Sequence, residues 1–467
     1  MKRAAAASSA LALSSALAAT AAPGAPRGGL GRILRNAGWL LAGRVAAQLL
    51  LVLLTVLLAA RLGAAGFGGY AVLAAVVFLA NVVTTFGTDM ALIREIAAGQ
   101  AAPGAAGGRA ADRGAARWSA ALAVQLVLSA AAIGLIWAVA PFVPNLGPGM
   151  ADALRIYAFA LVPAAVFSVA TAGLRGAGRM GAYAAVGTAG AAITLGAVWL
   201  GVPPGADLGR VAAVLLGVQV ALAVIGWAAC ACGQPAFRAI PRFGPADVTA
   251  MAQASARIGI LGLLGVLYQR VGVLALAMVA GPAATGWFAA ASRVTDASKA
   301  GHVALFGALY PELARSHAAG EGELRTARWL TLGPAAVVSA VLLVLGPAII
   351  RLLYGSGFEP SGSALAILAL SIVPATAATH RSLELVAAGR ERQMARALAA
   401  SLAVLLVLLA GLVPAVGWTG AAWAVLGAEA FQAAVLLVPR GRWPARDGGK
   451  RARALALAAT GRREGLA

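Results

Sequence analysis

The sequence predicts an all-α integral membrane protein with about twelve transmembrane helices, arranged as two parallel-repeat six-helix lobes around a central cavity. Three observations support this prediction: the composition, the lengths of the apolar runs and an internal repeat. Of the 467 residues, 61% are hydrophobic and 11% are charged, whereas soluble globular proteins have roughly 45–50% and about 25%. This composition excludes a soluble enzyme and a disordered protein, and two cysteines are too few for a disulfide scaffold.

The first segment, residues 1–29, imitates a secretory signal peptide. It opens with Lys2 and Arg3, continues through an Ala/Ser/Leu run and ends in small residues. Because alanine and serine make this run only weakly apolar, and because a multispanning protein needs no cleaved signal, we interpret the segment as a disordered tail or an upstream mis-assigned start. It is therefore left outside the predicted fold.

Twelve apolar runs follow this tail, separated by charged or Pro/Gly-rich breaks. Each is close to the ~20 residues that a helix needs to cross the hydrocarbon core. The runs are too long for strands and lack the period-two alternation of strands, so each is predicted to be a helix. In order, the predicted spans are 36–60, 69–91, 117–140, 153–174, 181–200, 211–232, 251–280, 284–310, 328–353, 361–387, 395–416 and 418–439. They divide into an N-terminal six-helix lobe, 30–235, and a C-terminal six-helix lobe, 236–440.

The distribution of basic residues predicts the orientation of these spans. With a cytoplasmic amino terminus, 27 of the 37 Lys and Arg residues lie on the inner side and four on the outer side. The outer four are Arg61, Arg155, Arg210 and Arg351. This asymmetry predicts a multi-pass membrane protein with both termini cytoplasmic, ending in a basic tail over residues 441–467. It explains most of the net charge of +21 as topology and attraction to anionic lipid headgroups, so nucleic acid is not a predicted partner.

Two blocks of sequence recur in the same order and indicate an internal repeat. The first block, offset by 218 residues, pairs Gly63, Gly68 and Tyr70 with Gly281, Gly286 and Phe288. The second, offset by 211 residues, pairs Pro163 with Pro374 and Gly178-Arg179 with Gly389-Arg390. Because six spans separate the copies, both have the same orientation in the membrane. Parallel six-helix lobes occur in secondary transporters, where the substrate site lies between the lobes and rocking gives alternating access.

Motifs around the first two spans resemble a known family. Asn36-Ala-Gly-Trp-Leu-Leu opens the first span, and the glycine-rich stretch Ala60-Arg-Leu-Gly-Ala-Ala-Gly-Phe-Gly-Gly-Tyr-Ala71 and then Phe86-Gly-Thr-Asp-Met-Ala-Leu-Ile-Arg-Glu-Ile-Ala97 follow. The sequence is similar to the polysaccharide biosynthesis and O-antigen flippase family, within the superfamily of multidrug, oligosaccharidyl-lipid and polysaccharide flippases. The resemblance implies a V-shaped pair of lobes and a lipid-linked oligosaccharide cargo, carried on a polyprenyl diphosphate and moved to the outer leaflet. Glycosyltransferases or a polymerase of the same pathway are further implied partners.

Basic and polar side chains inside the spans are the candidate substrate-binding residues. They are Arg44 and Gln48 in the first span, Arg270 in the seventh, and Arg293 and Lys299 in the eighth. A charged side chain at mid-bilayer costs roughly 2.5–3.5 kcal/mol on insertion scales, so it usually faces a cavity or a partner. The forked donors of arginine suit a doubly anionic diphosphate. Snorkelling and purely structural contacts are the alternative roles of these residues.

Acidic and histidine side chains inside the spans are the candidate ion-coupling residues. Asp296 stands between Arg293 and Lys299 at i,i+3 spacing and is either a coupling carboxylate or a counter-ion. His380 and Glu384 lie at i,i+4 spacing near the inner end of the tenth span, where a proton path and an interfacial salt-bridge cluster both fit.

Other kinds of site have little support in the sequence. Glu429 in the twelfth span has no evident partner and is a weak candidate. Cys230 and Cys232 form Cys-x-Cys without a second cysteine pair or a nearby histidine, so no metal site is predicted. The chain lacks a nucleotide-binding loop, a nucleophile elbow and a zinc motif. We therefore predict no cofactor and no enzymatic activity.

Several functions stay in competition at this level. The leading hypothesis is a flippase for the lipid-linked oligosaccharide that works by alternating access. A multidrug/cation antiporter of the same superfamily would need acidic residues in the N-terminal lobe, but the first span offers Arg44 and no acid. A membrane glycosyltransferase, polymerase or ligase would need a substantial outer loop or a catalytic loop with carboxylates, whereas the outer loops here are short. A non-transporting membrane scaffold stays open.

Overall fold

The computed structural model describes residues 29–101, 108–142, 149–239, 241, 243–316, 321–387 and 390–438. Within these ranges the chain forms α-helices and short 3-10 turns, and no strand. The helices are α1 Gly29–Thr85, α2 Thr88–Ala101, α3 Gly108–Val139, α4 Met150–Ala158, α5 Leu161–Gly176, α6 Met180–Gly201, α7 Leu208–Ala231, α8 Pro245–Val279, α9 Gly281–Ser316, α10 Glu321–Tyr354, α11 Ser361–Leu370, α12 Ile372–Ala387 and α13 Glu391–Leu437. The predicted tails, 1–29 and 441–467, lie outside the described residues except for Gly29.

The described helices confirm the predicted all-α membrane fold. Eight stretches are long and apolar enough to cross a membrane, and α11 with α12 forms a ninth, bent by 40°. Two of the eight, Val45–Thr85 with 41 residues and Arg392–Leu437 with 46, are about twice the ~20 residues that one crossing needs. Non-helical backbone at Gly63 divides the first, and Val416–Gly417 divides the second. With the more polar α9 over the eighth predicted span, these stretches account for about twelve crossings within the described chain.

The second predicted span, 69–91, ends earlier than predicted. Helix α1 ends at Thr85, Phe86 and Gly87 have positive φ angles of 38° and 74°, and α2 begins at Thr88. Apolar residues resume just after this turn, at 90–93, so hydropathy alone does not reveal it. The turn is one of the places where the two halves of the chain meet.

The internal repeat is visible in the backbone. Gly63 and Gly281, which are equivalent in the first block, have positive φ angles of 65° and 82°. Pro163 and Pro374, equivalent in the second block, lack the N–H that would continue the helical hydrogen bonds. Accordingly α4 gives way to α5, and α11 to α12, a few residues before these prolines. The two halves therefore share a fold, while the exact lobe boundaries, 30–235 and 236–440, stay predictions.

The four arginines that are predicted to lie on the outer side all have local partners. Arg61 donates to the carbonyl of Trp199 at 2.8 Å and to that of Val202. Arg210 Nε donates to the carbonyl of Gly201 at 2.7 Å. Both cations therefore complement the negative carboxyl end of α6. The other two form ion pairs, Arg155 with Asp152 at 3.2 Å and Arg351 with Glu359 at 3.3 Å.

Candidate functional site

The part of α1 after Gly63, residues 64–85, carries much of the contact between the two halves of the chain. We call this segment the seam helix. Helix α1 packs against α8 and α9, which correspond to the seventh and eighth predicted spans. In the predicted topology the seam helix runs from the outer to the inner face, and three levels of contact follow one another along it.

Glycine contacts close the outer end of this seam. Gly68 of the seam helix and Gly286 of α9 are equivalent in the repeat and lie against each other. A Cβ atom added to Gly68 would lie 2.8 Å from the backbone nitrogen of Gly286, and one added to Gly286 would lie 2.9 Å from the carbonyl carbon of Ala64. Non-bonded carbon atoms prefer separations of about 3.5–4.0 Å, so only glycine fits at these two positions. Ala64-x3-Gly68 also has the spacing of small residues that lets membrane helices approach closely.

A second pair of glycines closes the inner end. A Cβ atom on Gly87 would lie 2.8 Å from the backbone nitrogen of Gly259 in α8, and one on Gly259 would lie 2.7 Å from the carbonyl oxygen of Phe86. Gly87 also has the positive φ of 74° that other residues rarely adopt. The two halves of the chain are therefore in close backbone contact at both ends of the seam helix.

Between the two glycine contacts, Arg270 of α8 reaches the seam helix. Its guanidinium carbon lies 4.7 Å from the ring centroid of Phe78, within the ~6 Å range of cation–π interactions. Arg270 is 9% exposed, and its Nε has no hydrogen-bond partner among the described residues. Phe78 packs with Val82 and Val266 in a small apolar cluster. The cation predicted to line a cavity is thus buried against a ring of the opposite half.

The two predicted cations of α9 lie in different surroundings. Arg293 is near enough to Arg270 for the two charges to repel each other. Lys299 Nζ lies 3.4 Å from Glu429 Oε1 on α13, and the two side chains are 26% and 12% exposed. Glu429, which has no evident partner in the sequence, therefore neutralises Lys299 from another helix. Asp296 lies half-buried one turn before Lys299.

The structure describes the two candidates of the first span only in part. The side chain of Arg44 lies outside the described residues, and Gln48 is half-buried. Thr55, a further polar residue of α1, is 1% exposed and donates its hydroxyl to the carbonyl of Val52 at 2.8 Å. This hydroxyl is satisfied within its own helix, and the roles of Arg44 and Gln48 stay predictions.

His380, Arg381 and Glu384 form a buried cluster on α12. His380 Nε2 lies 3.2 Å from Glu384 Oε1, and both side chains are nearly inaccessible. Arg381 forms an ion pair with the same carboxylate, and its Nε donates to the carbonyl of Leu436 on α13 at 3.3 Å. This arrangement joins two helices, which favours a salt-bridge cluster. A role of His380 and Glu384 in ion coupling stays a prediction.

Ion pairs stabilise the inner end of the seam beside Gly87. Asp89 lies 3.2 Å from Arg175, and Glu95 lies 3.6 Å from Arg117 Nε. Burial raises the pKa of Glu95 above its ordinary value, Arg117 opposes this shift, and Asp247 of α8 adds to it. The conspicuous Phe-Gly-Thr-Asp motif of the sequence therefore supplies a turn, a close backbone contact and an ion-paired carboxylate.

Two cavities within the described residues lie away from these charges. One, of about 430 Å³, is an apolar groove lined by α6 and α7, including Leu200 and Val214. The other, of about 370 Å³, lies beside Trp137 and Arg155 in the predicted outer region. Arg270 lines neither of these two cavities.

Removing one partner of the Lys299–Glu429 pair should destabilise the protein. Lys299→Met leaves a mostly buried carboxylate unpaired, a change worth up to about 3–5 kcal/mol. The double variant Lys299→Met/Glu429→Gln removes both charges and should recover most of this loss. Thermal unfolding of the wild type, both single variants and the double variant in detergent checks the prediction. A double variant as unstable as Lys299→Met would contradict the pairing.

Sequence reasoning does not single out Phe78 or Gly259 as parts of the site. The sequence did indicate that Arg270 has a partner, because a charged side chain at mid-membrane needs one. It does not select Phe78, because aromatic residues are common in membrane helices. Gly259 is one of 58 glycines, and only the packing of α8 against the turn at Phe86–Gly87 distinguishes it.

The sequence matches the model of one protein family, described as polysaccharide biosynthesis protein, over residues 33–317. This range includes the seam helix, α8 and α9. A search of curated protein sequences finds no match.

Solved transporter structures have a similar fold. The lipid II flippase MurJ in an inward closed conformation aligns with a TM-score of 0.71 at 13% identity, covering 89% of each chain. A multidrug resistance MATE family transporter in an inward-facing conformation gives 0.62 at 15% identity, covering 89% of this chain and 96% of its own. A MOP superfamily transporter from Pyrococcus furiosus gives 0.61 at 16% identity, covering 91% and 96%. At these identities the likeness establishes the fold alone.

Proposed function

Because this chain belongs to the polysaccharide biosynthesis protein family, we propose that it is a flippase for a polyprenyl-diphosphate-linked oligosaccharide. The cargo would be a precursor of polysaccharide or lipopolysaccharide, moved from the inner to the outer leaflet by alternating access. No chemical step on the cargo is required. Glycosyltransferases or a polymerase of the same pathway would supply or consume it.

The observation that carries this proposal is the buried, incompletely satisfied Arg270 at the seam. Its guanidinium faces an aromatic ring, its Nε has no partner among the described residues, and Arg293 adds a second positive charge nearby. Two neighbouring guanidinium groups present forked donors to the two phosphates of a diphosphate. Lys299, Arg44 and Gln48 would extend this cationic surface along the cargo.

The seam contacts support alternating access as the mechanism. Opening the Gly87–Gly259 contact while Gly68–Gly286 stays closed would expose Arg270 to the cytoplasmic side. The reverse combination would expose it to the outside. On this proposal, the seam closed at both ends would be the occluded state between the two.

The alternative within transport is a multidrug/cation antiporter, for which the likeness to MATE family structures speaks. The central charge at the seam, however, is an arginine that would repel a cationic drug. Two assays with the protein reconstituted in liposomes distinguish these functions. One measures the flipping of a fluorescent polyprenyl-diphosphate saccharide, and the other measures the accumulation of a cationic dye. We expect the lipid to flip without nucleotide and the dye not to accumulate. Dye accumulation without lipid flipping would favour the antiporter.

Energy coupling is proposed to involve Asp296. One charge crossing 100 mV is worth about 2.3 kcal/mol, which shifts a leaflet distribution roughly fiftyfold. An imposed ion gradient should therefore bias the leaflet distribution of the lipid, and Asp296→Asn should remove this bias. His380 and Glu384 are the next candidates. Equilibration that ignores the gradient and is unchanged in Asp296→Asn would leave a passive flippase.

The topology proposal places both termini in the cytoplasm of a bacterial inner membrane, and the native cysteines test it. Cys232 is exposed at the end of α7 and Cys230 is buried. In intact cells, a membrane-impermeant maleimide should therefore leave Cys232 unlabelled and should label Gly357→Cys in a Cys232→Ser background. The permeant reagent is the control. Labelling of Cys232 by the impermeant reagent would reverse the orientation.

A further inference from the structure

We propose that Phe78 is a positioning residue whose ring contacts Arg270 when no cargo is bound. An anionic diphosphate then displaces the ring from Arg270 and allows the two halves of the chain to separate along the seam. The cation–π contact would be the resting partner of the guanidinium in the empty protein. This inference rests on the proposed function and adds to it the event that couples cargo binding to opening.

The contact between Phe78 and Arg270 is weak enough for a stronger partner of Arg270 to replace it. Phe78 is 2% exposed and Arg270 is 9% exposed, so water has little access to either. The ring satisfies the charge of the guanidinium only through its π face, and leaves Arg270 Nε without a hydrogen bond among the described residues. A phosphate would offer that nitrogen a charge-assisted hydrogen bond, which is the stronger interaction. Exchange of ring for phosphate is therefore favourable once cargo reaches the seam.

The position of Phe78 links this exchange to both ends of the seam. It lies between Gly68 and Gly87 in sequence, at about 1.5 Å of helix rise per residue and thus roughly 15 Å from each closing contact. Separation at either end would pull the seam helix away from α8 or α9 and carry the ring away from Arg270. The contact therefore belongs to the closed, empty state, and its strength opposes opening without cargo.

Loss of the ring should strengthen the binding of a diphosphate, because the competing partner is gone. Phe78→Leu keeps an apolar side chain and should tighten binding roughly two- to thirtyfold, the range that cation–π contacts span. Phe78→Trp keeps a π face and should bind like the wild type. Arg270→Gln should bind weakly with either residue at position 78.

The experiment measures the binding of farnesyl diphosphate to the full chain in detergent by calorimetry, in the wild type, Phe78→Leu, Phe78→Trp and Arg270→Gln. A second readout is the maleimide reactivity of Val266→Cys in a Cys232→Ser background, because Val266 is 3% exposed beside Phe78. Tighter binding and faster labelling in Phe78→Leu, with wild-type values in Phe78→Trp, are the expected results.

The possible failures are distinguishable. Equal affinity of the wild type and Phe78→Leu would overturn the role of Phe78 and leave the flippase proposal intact. If farnesyl diphosphate binds none of the proteins, the diphosphate cargo is wrong. The labelling readout then decides alone, and labelling of Val266→Cys that is unchanged by Phe78→Leu would overturn the role of Phe78.

Discussion

Gly286→Ala is expected to stop flipping while the protein still inserts and accumulates. The added methyl group would meet the backbone of the seam helix at Ala64, where neither helix can yield by rotating a side chain. Overpacking of this kind costs about 1–3 kcal/mol, which shifts the balance between closed and open outer ends roughly five- to hundredfold. The protein should be held open to the outside and fail to return. Gly259→Ala should have the opposite effect and hold the inner end open.

Cysteine accessibility measures these two effects separately. In a Cys232→Ser background that also carries Val266→Cys, the introduced thiol should react with an impermeant maleimide from the outside in Gly286→Ala and from the inside in Gly259→Ala. Gly265→Ala in α8 is the matched control, because a Cβ atom there meets nothing within 4 Å. Identical accessibility of this thiol in all variants would show that the glycine contacts do not act as gates.

Arg270→Gln should have the second large effect. It keeps a polar side chain of similar length but removes the charge that we assign to the diphosphate. Hydrogen bonds to charged groups are worth about 1.5–3 kcal/mol, so flipping should fall roughly ten- to hundredfold at limiting cargo. Arg270→Lys keeps the charge without the planar fork of donors. Its flipping rate should lie between those of the wild type and Arg270→Gln.

A matched control separates this effect from a general loss of positive charge. Arg210→Gln removes the charge of an arginine that is predicted to lie on the outer side and donates to the carboxyl end of α6. It should leave flipping close to the wild-type rate. Full activity of Arg270→Gln would demote Arg270 to a structural residue.

Local chemistry explains which parts of this fold were predictable. The helices were predictable from the apolar runs. The repeat was predictable from Gly63, Gly281, Pro163 and Pro374, because a positive φ and a missing backbone N–H affect the backbone at those same positions. The charge asymmetry could be read from counts alone. The turn at Phe86 was missed because residues 90–93, shortly after it, are apolar again.

The sequence predicted which types of residue form the candidate site, but not which of these residues contact each other. A cation at mid-membrane needs a partner, so Arg270 was identifiable from its position. Its partner Phe78, and the pairing of Lys299 with Glu429, depend on which helices pack together. No sequence periodicity encodes those contacts between distant helices. The role of Asp296 was not predictable either, because its spacing from Arg293 and Lys299 fits both a counter-ion and a coupling group.

The most direct test of the account is the leaflet distribution of a fluorescent polyprenyl-diphosphate saccharide in liposomes that contain the purified protein. An impermeant reductant destroys the fluorescence of the outer leaflet only. With the wild type, the signal should decay nearly completely, because lipid from the inner leaflet is continually moved outward. With Arg270→Gln, the fast decay should end near the half that the outer leaflet holds, and the remaining signal should decay roughly ten- to hundredfold more slowly than with the wild type. A decay that stops near that half for the wild type would contradict a flippase for this cargo.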